Sequence, residues 1–154
     1  MKKEEMNLTK EEFLEKCIME DGICIIPRDV SIIPEQSFYR RDDIEEVLIP
    51  ENIKFINKKA FASCINLKKV SFEDGVSLID NEAFFGCTKL KEIFFPRTVN
   101  VIGSRAFKQS ELEIVFIPIL CFYDECTTFE RKTVVERYLP KIKTPFRRLR
   151  KKNK

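Results

Sequence analysis

The chain of 154 residues contains no histidine. That removes the side chain most often used for general acid–base work near neutral pH. Glycine is scarce, at four residues, and the sequence shows neither a Gly-rich phosphate loop nor a G-x-S-x-G elbow. Long apolar runs are absent too. The longest, 114–123, is interrupted by Pro118 and falls well short of the roughly 20 residues that a membrane-spanning helix needs. The opening MKKEEMNLTKEEF has charges but no apolar core region and no small-residue cleavage site, unlike a secretory signal. The expectation is a cytoplasmic protein, or a surface or secreted one if the chain is a fragment. With no export signal, Cys17, Cys24, Cys64, Cys87, Cys121 and Cys126 are expected as free thiols. Cys121 and Cys126 have no histidine and no second cysteine pair nearby, so no metal site is expected. Acids are plentiful, but no motif singles out two of them. The chain is therefore expected to be neither an enzyme nor a holder of a cofactor.

Charge is unevenly placed. Residues 141–154 hold eight basic side chains and no acid. Taking those eight positive charges from the total of +3 leaves the rest of the chain at −5. The basic residues are Lys141, Lys143, Arg147, Arg148, Arg150, Lys151, Lys152 and Lys154. Such a cluster attracts phosphates without regard to sequence, or anionic lipid. The tail is expected to be disordered, and contact with nucleic acid or an anionic membrane surface is the second functional reading.

What the chain does have is a repeat. Phe38, Phe61, Phe84 and Phe107 are evenly spaced, as are Val30, Ile53, Val76 and Val99, and Ile33, Ile56, Ile79 and Ile102. A period of about 23 residues specifies stacked coils that cannot bury their apolar face alone. Each coil contains an L-x-x-V-x-F-like phrase: 44–49, 67–72, 90–95 and 112–117. Its last members alternate, which fits a short strand with one face buried. Three Ala-Phe pairs (Ala60-Phe61, Ala83-Phe84, Ala106-Phe107) suit a tight turn in which successive rings pack.

The phrases AFASCINLKKV and AFFGCTKLKEI resemble the BspA-type leucine-rich repeat, with Ala-Phe, then Cys three positions on, then Leu three further. The resemblance covers 27–118. It implies a repeat solenoid, a binding role like that of surface and adhesion proteins, and cysteines that are buried thiols bonded to turn backbone. A disulfide or half a metal site at Cys64 and Cys87 is the competing reading.

The expected architecture is a right-handed, β-rich leucine-rich repeat solenoid with short parallel strands and four coils. It is divided into a capping helix at 1–22, the solenoid at 23–118, a cap with a short helix at 119–140 and the tail at 141–154. Thr9 and Glu12 have capping-box spacing for a helix over 9–20 that Gly22 would end, and Thr127 and Glu130 have it for one over 129–139.

In a stack, outward strand positions align into columns. One holds Glu46, Lys69, Glu92 and Ile114, where alternating charge favours cross-strand attraction. The next holds Leu48, Ser71, Phe94 and Phe116, an apolar set that marks either a partner surface or a surface covered by another element. A third column, Ile32, Phe55, Leu78 and Val101, is apolar, and its spacing does not decide whether it points in or out. The expected function is a protein-interaction module presenting the first two columns.

Overall fold

A computed structural model describes residues 8–139. The basic tail from Lys141 to Lys154 lies outside the described residues. The described chain forms one helix, α1 (Lys10–Lys16), and twelve strands. Six strands lie along one face: β2 (Ile23–Ile25), β4 (Glu46–Ile49), β6 (Lys69–Phe72), β8 (Glu92–Phe94), β10 (Ile114–Pro118) and β12 (Val134–Tyr138). Five two-residue strands line a second face: β3 (Ile32–Ile33), β5 (Phe55–Ile56), β7 (Leu78–Ile79), β9 (Val101–Ile102) and β11 (Phe122–Tyr123). Both faces are built from parallel neighbours one coil apart. The fold is thus a β-solenoid of about five turns.

The third side of each coil is the Ala-Phe turn, and it carries the core. Phe38, Phe61, Phe84 and Phe107 are fully buried. Their rings stack face to face at 4.9, 5.1 and 5.1 Å. Each phenylalanine N–H donates to the carbonyl of the small residue one coil on: Phe38 to Ala60 at 2.7 Å, Phe61 to Ala83 at 2.8 Å, Phe84 to Ala106 at 2.8 Å. Alanine suits this position because a larger side chain would separate the coils that these bonds draw together.

Two residues flanking the turn have left-handed backbone. One set is Gln36, Lys59, Glu82 and Arg105, and the other is Arg40, Ser63, Gly86 and Gln109. This conformation turns their N–H groups along the stack. Gln36, Lys59 and Glu82 donate to the next coil, and so do Arg40, Ser63 and Gly86. Seven of these eight positions carry a side chain, and left-handed backbone costs an L-residue about 1–2 kcal/mol. The turn accepts that strain in exchange for an additional ladder of intercoil hydrogen bonds.

The cysteines belong to the same turn. The Cys64 thiol donates to the Phe38 carbonyl at 3.1 Å, and that of Cys87 to the Phe61 carbonyl at 3.2 Å. Burial pushes the Cys64 thiol up to about 12 and holds Cys87 well above its ordinary range, so both remain protonated donors. All six cysteines are free.

The two ends depart from the sequence expectation. Thr9 does cap α1 through a capping box with Glu12, but the helix stops at Lys16. Residues beyond it form β1 (Ile18–Glu20), antiparallel to β2. Asp21 and Gly22 have positive φ and make the hairpin turn instead of ending a helix. α1 places Phe13 edge-on against Phe38, at 5.8 Å and 71°, which closes the ring stack.

At the other end, the helix expected over 129–139 is replaced by β12. Strand β10 would otherwise leave an open edge, and β12, which opens on the β-branched pair Val134-Val135, pairs with it in parallel. Phe129 stacks on Phe107 at 5.5 Å, and Phe107 N–H donates to the Thr128 carbonyl at 3.0 Å. Thr128-Phe129 therefore takes the Ala-Phe position of a further coil. Glu130 accepts from Gln109 N–H at 2.8 Å and caps no helix.

Phe84→Ala, in the middle of the ring stack, should cost about 3–5 kcal/mol in urea unfolding. Gln109→Gly, at an exposed left-handed position, should raise stability by about 0.5–1 kcal/mol. A lower urea midpoint for Gln109→Gly would contradict the strain assigned to that turn.

Candidate functional site

The strand face divides into two sheets, β1-β2-β4-β6 and β8-β10-β12. Among the described residues no ladder joins β6 to β8. Phe72 at the end of β6 and Phe95, the residue after β8, meet at 5.9 Å and 45° instead of stacking. The seam is an open groove of about 370 Å³ lined by Lys69, Ser71, Phe72, Glu92 and Phe94.

The two expected outward columns take shape unequally. Glu46 and Lys69 are in register and form an ion pair at 3.4 Å. Such an exposed pair is worth about 0–1 kcal/mol. Glu92 is exposed and Ile114 half-buried, paired in register across β8 and β10. In the second column Leu48 is exposed and Ser71 is half-buried. Phe116 is only 2% exposed, and Phe94 is half-buried. The two rings meet at 5.8 Å, and Tyr138 of β12 stacks on Phe94 at 4.9 Å. The Tyr138 hydroxyl donates to the Phe95 carbonyl at 2.6 Å. Of the two readings of this column, a partner surface or a covered one, cover applies at these two rings: Phe116 is buried, and β12, formed where a helix was expected, brings Tyr138 onto Phe94.

The second face resolves the column that spacing left open. Ile33, Ile56, Ile79 and Ile102 point inward and are buried. Their neighbours Ile32, Phe55, Leu78 and Val101 point outward and lie in register. Phe122 continues the row beside Val101. Phe55 is 40% exposed, Val101 41% and Phe122 75%. Leu120 and Ile119 extend the apolar surface at the β11 end, beside a groove of about 540 Å³. Arg137 forms part of its wall, with its guanidinium 5.1 Å above the Tyr123 ring and a hydrogen bond to the Ile119 carbonyl at 2.9 Å. Phe122 and Leu120 are not apparent from the repeat because the last coil is shortened. Phe122 follows Val101 more closely than Val101 follows Leu78, although each pair is in register. The apolar pair Phe122-Tyr123 after Val101-Ile102 was the available signal.

Among the described residues, no group of three or more His, Cys, Asp or Glu side chains is arranged to hold a metal ion. No helix of the described residues is long and apolar enough to cross a membrane.

A family model for the BspA type leucine-rich repeat region, in six copies, matches residues 8–134. Three solved structures are similar. A leucine-rich cell surface protein of Faecalibacterium prausnitzii is 26% identical, with a TM-score of 0.66, over 77% of this chain and 32% of its own. A leucine-rich repeat protein of Eubacterium ventriosum is 22% identical, with a TM-score of 0.60, over 80% of this chain and 42% of its own. The leucine-rich repeat protein of T. pallidum is 22% identical, with a TM-score of 0.53, over 78% of this chain and 71% of its own. The chain thus spans about a third of the length of the Faecalibacterium protein. No curated protein matches the chain.

Burial pushes the Tyr138 hydroxyl up to about 12, against about 10 for an unperturbed tyrosine. A raised folded value favours the protonated form, so its stabilising effect is present below about pH 10 and is lost as pH rises towards 12. Thermal midpoints measured across that window should fall more steeply for the native chain than for Tyr138→Phe. Equal slopes would show that the hydroxyl is not held as described.

Proposed function

The chain belongs to the BspA-type leucine-rich repeat family, and from that premise we propose that it is a non-enzymatic module that binds a protein partner through its exposed strand faces. The observation that carries this reading is the in-register outward row of Ile32, Phe55, Leu78, Val101 and Phe122. Solenoid stacking explains an inward apolar row on every coil. It does not require a second apolar row facing solvent, and contiguous exposed apolar surface of this kind marks interaction sites. The other strand face supplies a more polar candidate surface, with Leu48 flanked by Glu46 and Lys69, and Ser71, Glu92 and Ile114 beyond.

The description of the Faecalibacterium protein as a cell surface protein favours an adhesion role as the particular form of this binding. A surface location would follow from that form.

The two faces are separable by mutation. Phe55→Asp with Phe122→Asp should leave the thermal midpoint within a few degrees of native, because both side chains are already exposed. Partner capture after crosslinking in the native host, read by mass spectrometry, should fall by at least tenfold. Leu48→Asp with Lys69→Glu should reduce it less. The opposite ranking would move the binding surface to the face of β4 and β6, and full capture by both variants would remove this reading.

A further inference from the structure

The repeat position that holds cysteine in the two middle coils holds Arg41 in the first coil. A bidentate pair with Asp43, at 2.7 and 2.6 Å, fixes its guanidinium. Three thiols surround that charge. Cys64 comes from the next coil, Cys24 from the centre of β2, and Cys17 from the residue that ends α1. Cys64 is already committed to the Phe38 carbonyl. Cys17 and Cys24 meet each other. In the β1–β2 hairpin Met19 pairs with Cys24 and Ile18 with Ile25. That register carries Cys17 diagonally across from Cys24 on the same, core-facing side. The two thiols are close enough for each to shift the other's titration. When protonated, Cys17 in turn donates to the Phe13 carbonyl at 3.3 Å.

The two differ in exposure. Cys24 is fully buried, whereas Cys17 is half-buried and within reach of a small solute. The Cys24 hydrogen bond and the Arg41 charge both favour the thiolate at Cys17 and hold it below the ordinary thiol range. The hydrogen bond to Cys17 and burial hold Cys24 in the protonated form.

We propose that Cys17 and Cys24 are a peroxide-reactive thiol and its resolving partner, a modification site that a hydroperoxide converts to a disulfide tying the capping helix to the first coil. In the first step the Cys17 thiolate attacks the peroxide. An S–O bond forms, the O–O bond breaks, and the departing hydroxide takes up the proton that Cys17 released on ionising, leaving as water. In the second step the Cys24 sulfur attacks the Cys17 sulfur. The S–S bond forms, the S–O bond breaks, and the departing hydroxide takes the Cys24 proton as water. The sum is two thiols and one hydrogen peroxide giving one disulfide and two waters. The two sulfurs, on diagonal positions of the hairpin, need to close to about 2.05 Å. Cys17 lies at the end of α1, at its C-cap. The product closes a short loop between α1 and β2, so it restrains the element that seats Phe13 against Phe38.

The test uses the full chain and hydrogen peroxide, followed by alkylation of remaining thiols and peptide mapping by mass spectrometry. The native chain should lose two hydrogens and yield a peptide pair joined through Cys17 and Cys24, with the other four cysteines alkylated. Cys24→Ser should stop at a sulfenic acid on Cys17 that dimedone traps. Cys17→Ser changes a half-buried side chain, so it should keep the native circular dichroism spectrum and form no disulfide. Hydrogen exchange of the amides of residues 10–16 should slow at least fivefold in the oxidised native chain and not in Cys17→Ser. A disulfide joining any other pair, or oxidation confined to the exposed Cys126 with Cys17 and Cys24 both alkylated, would overturn the proposal.

Discussion

The distance between one coil and the next governs this molecule. Phenylalanine rings stack at 4.9 to 5.1 Å, close to the spacing of neighbouring strands in a sheet. The ring column and the strand ladders can therefore share one repeat without strain between them. Everything else on the coil conforms to that rise. A small residue, alanine beside Phe61, Phe84 and Phe107 and Ser37 beside Phe38, occupies the position next to the ring because backbone from the neighbouring coil must bond there. Left-handed residues recur because their N–H groups must point along the stack. Buried thiols recur because the phenylalanine carbonyl needs a donor that fits between coils.

The same constraint explains why the ends are the chemically distinctive parts. A stack has two terminal surfaces that no coil covers. At the first, α1 and the β1–β2 hairpin seat Phe13 against the ring column and gather Cys17, Cys24 and Arg41 in the space where the repeat would place another cysteine. At the last, a shortened coil supplies Phe129 and β12. Strand β12 pairs in register with β10 and brings Tyr138 onto Phe94, while Phe122 and Leu120 stay exposed on the other face.

The intercoil ion pairs contribute little to holding the stack together. Lys68 and Glu45, Lys69 and Glu46, and Lys132 and Glu111 bridge consecutive coils at 2.6, 3.4 and 2.7 Å. All are exposed to solvent, where water and salt screen them. Their effect is on the character of the surface. They give the face of β4 and β6 a charged border, whereas the row from Ile32 to Phe122 is apolar along its length. A partner meeting the first face must satisfy charge, and one meeting the second must exclude water.

Residue order alone was enough to define the coil. Its period, inward residues and Ala-Phe turn were legible, because each position recurs in the same environment and so leaves the same residue type behind, whereas the burial of Cys64 and Cys87 was implied by the family resemblance. The capping box at Thr9 and Glu12 was legible as well, since it is a local interaction. How the repeat ends, and which surfaces remain open, depended on the folded chain. Val134, Val135 and Tyr138 fit a helical spacing as well as a strand, and the open edge of β10 settled the choice. Phe94 and Phe116 sit at outward positions by their register, yet a strand from the following coil covers them. Ile32, Phe55, Leu78 and Val101 carry no mark of direction in their spacing, because both neighbouring positions of a two-residue strand are apolar. Burial of this kind depends on what arrives from elsewhere in the chain, and a periodic pattern does not encode the arrival of a residue that breaks the period.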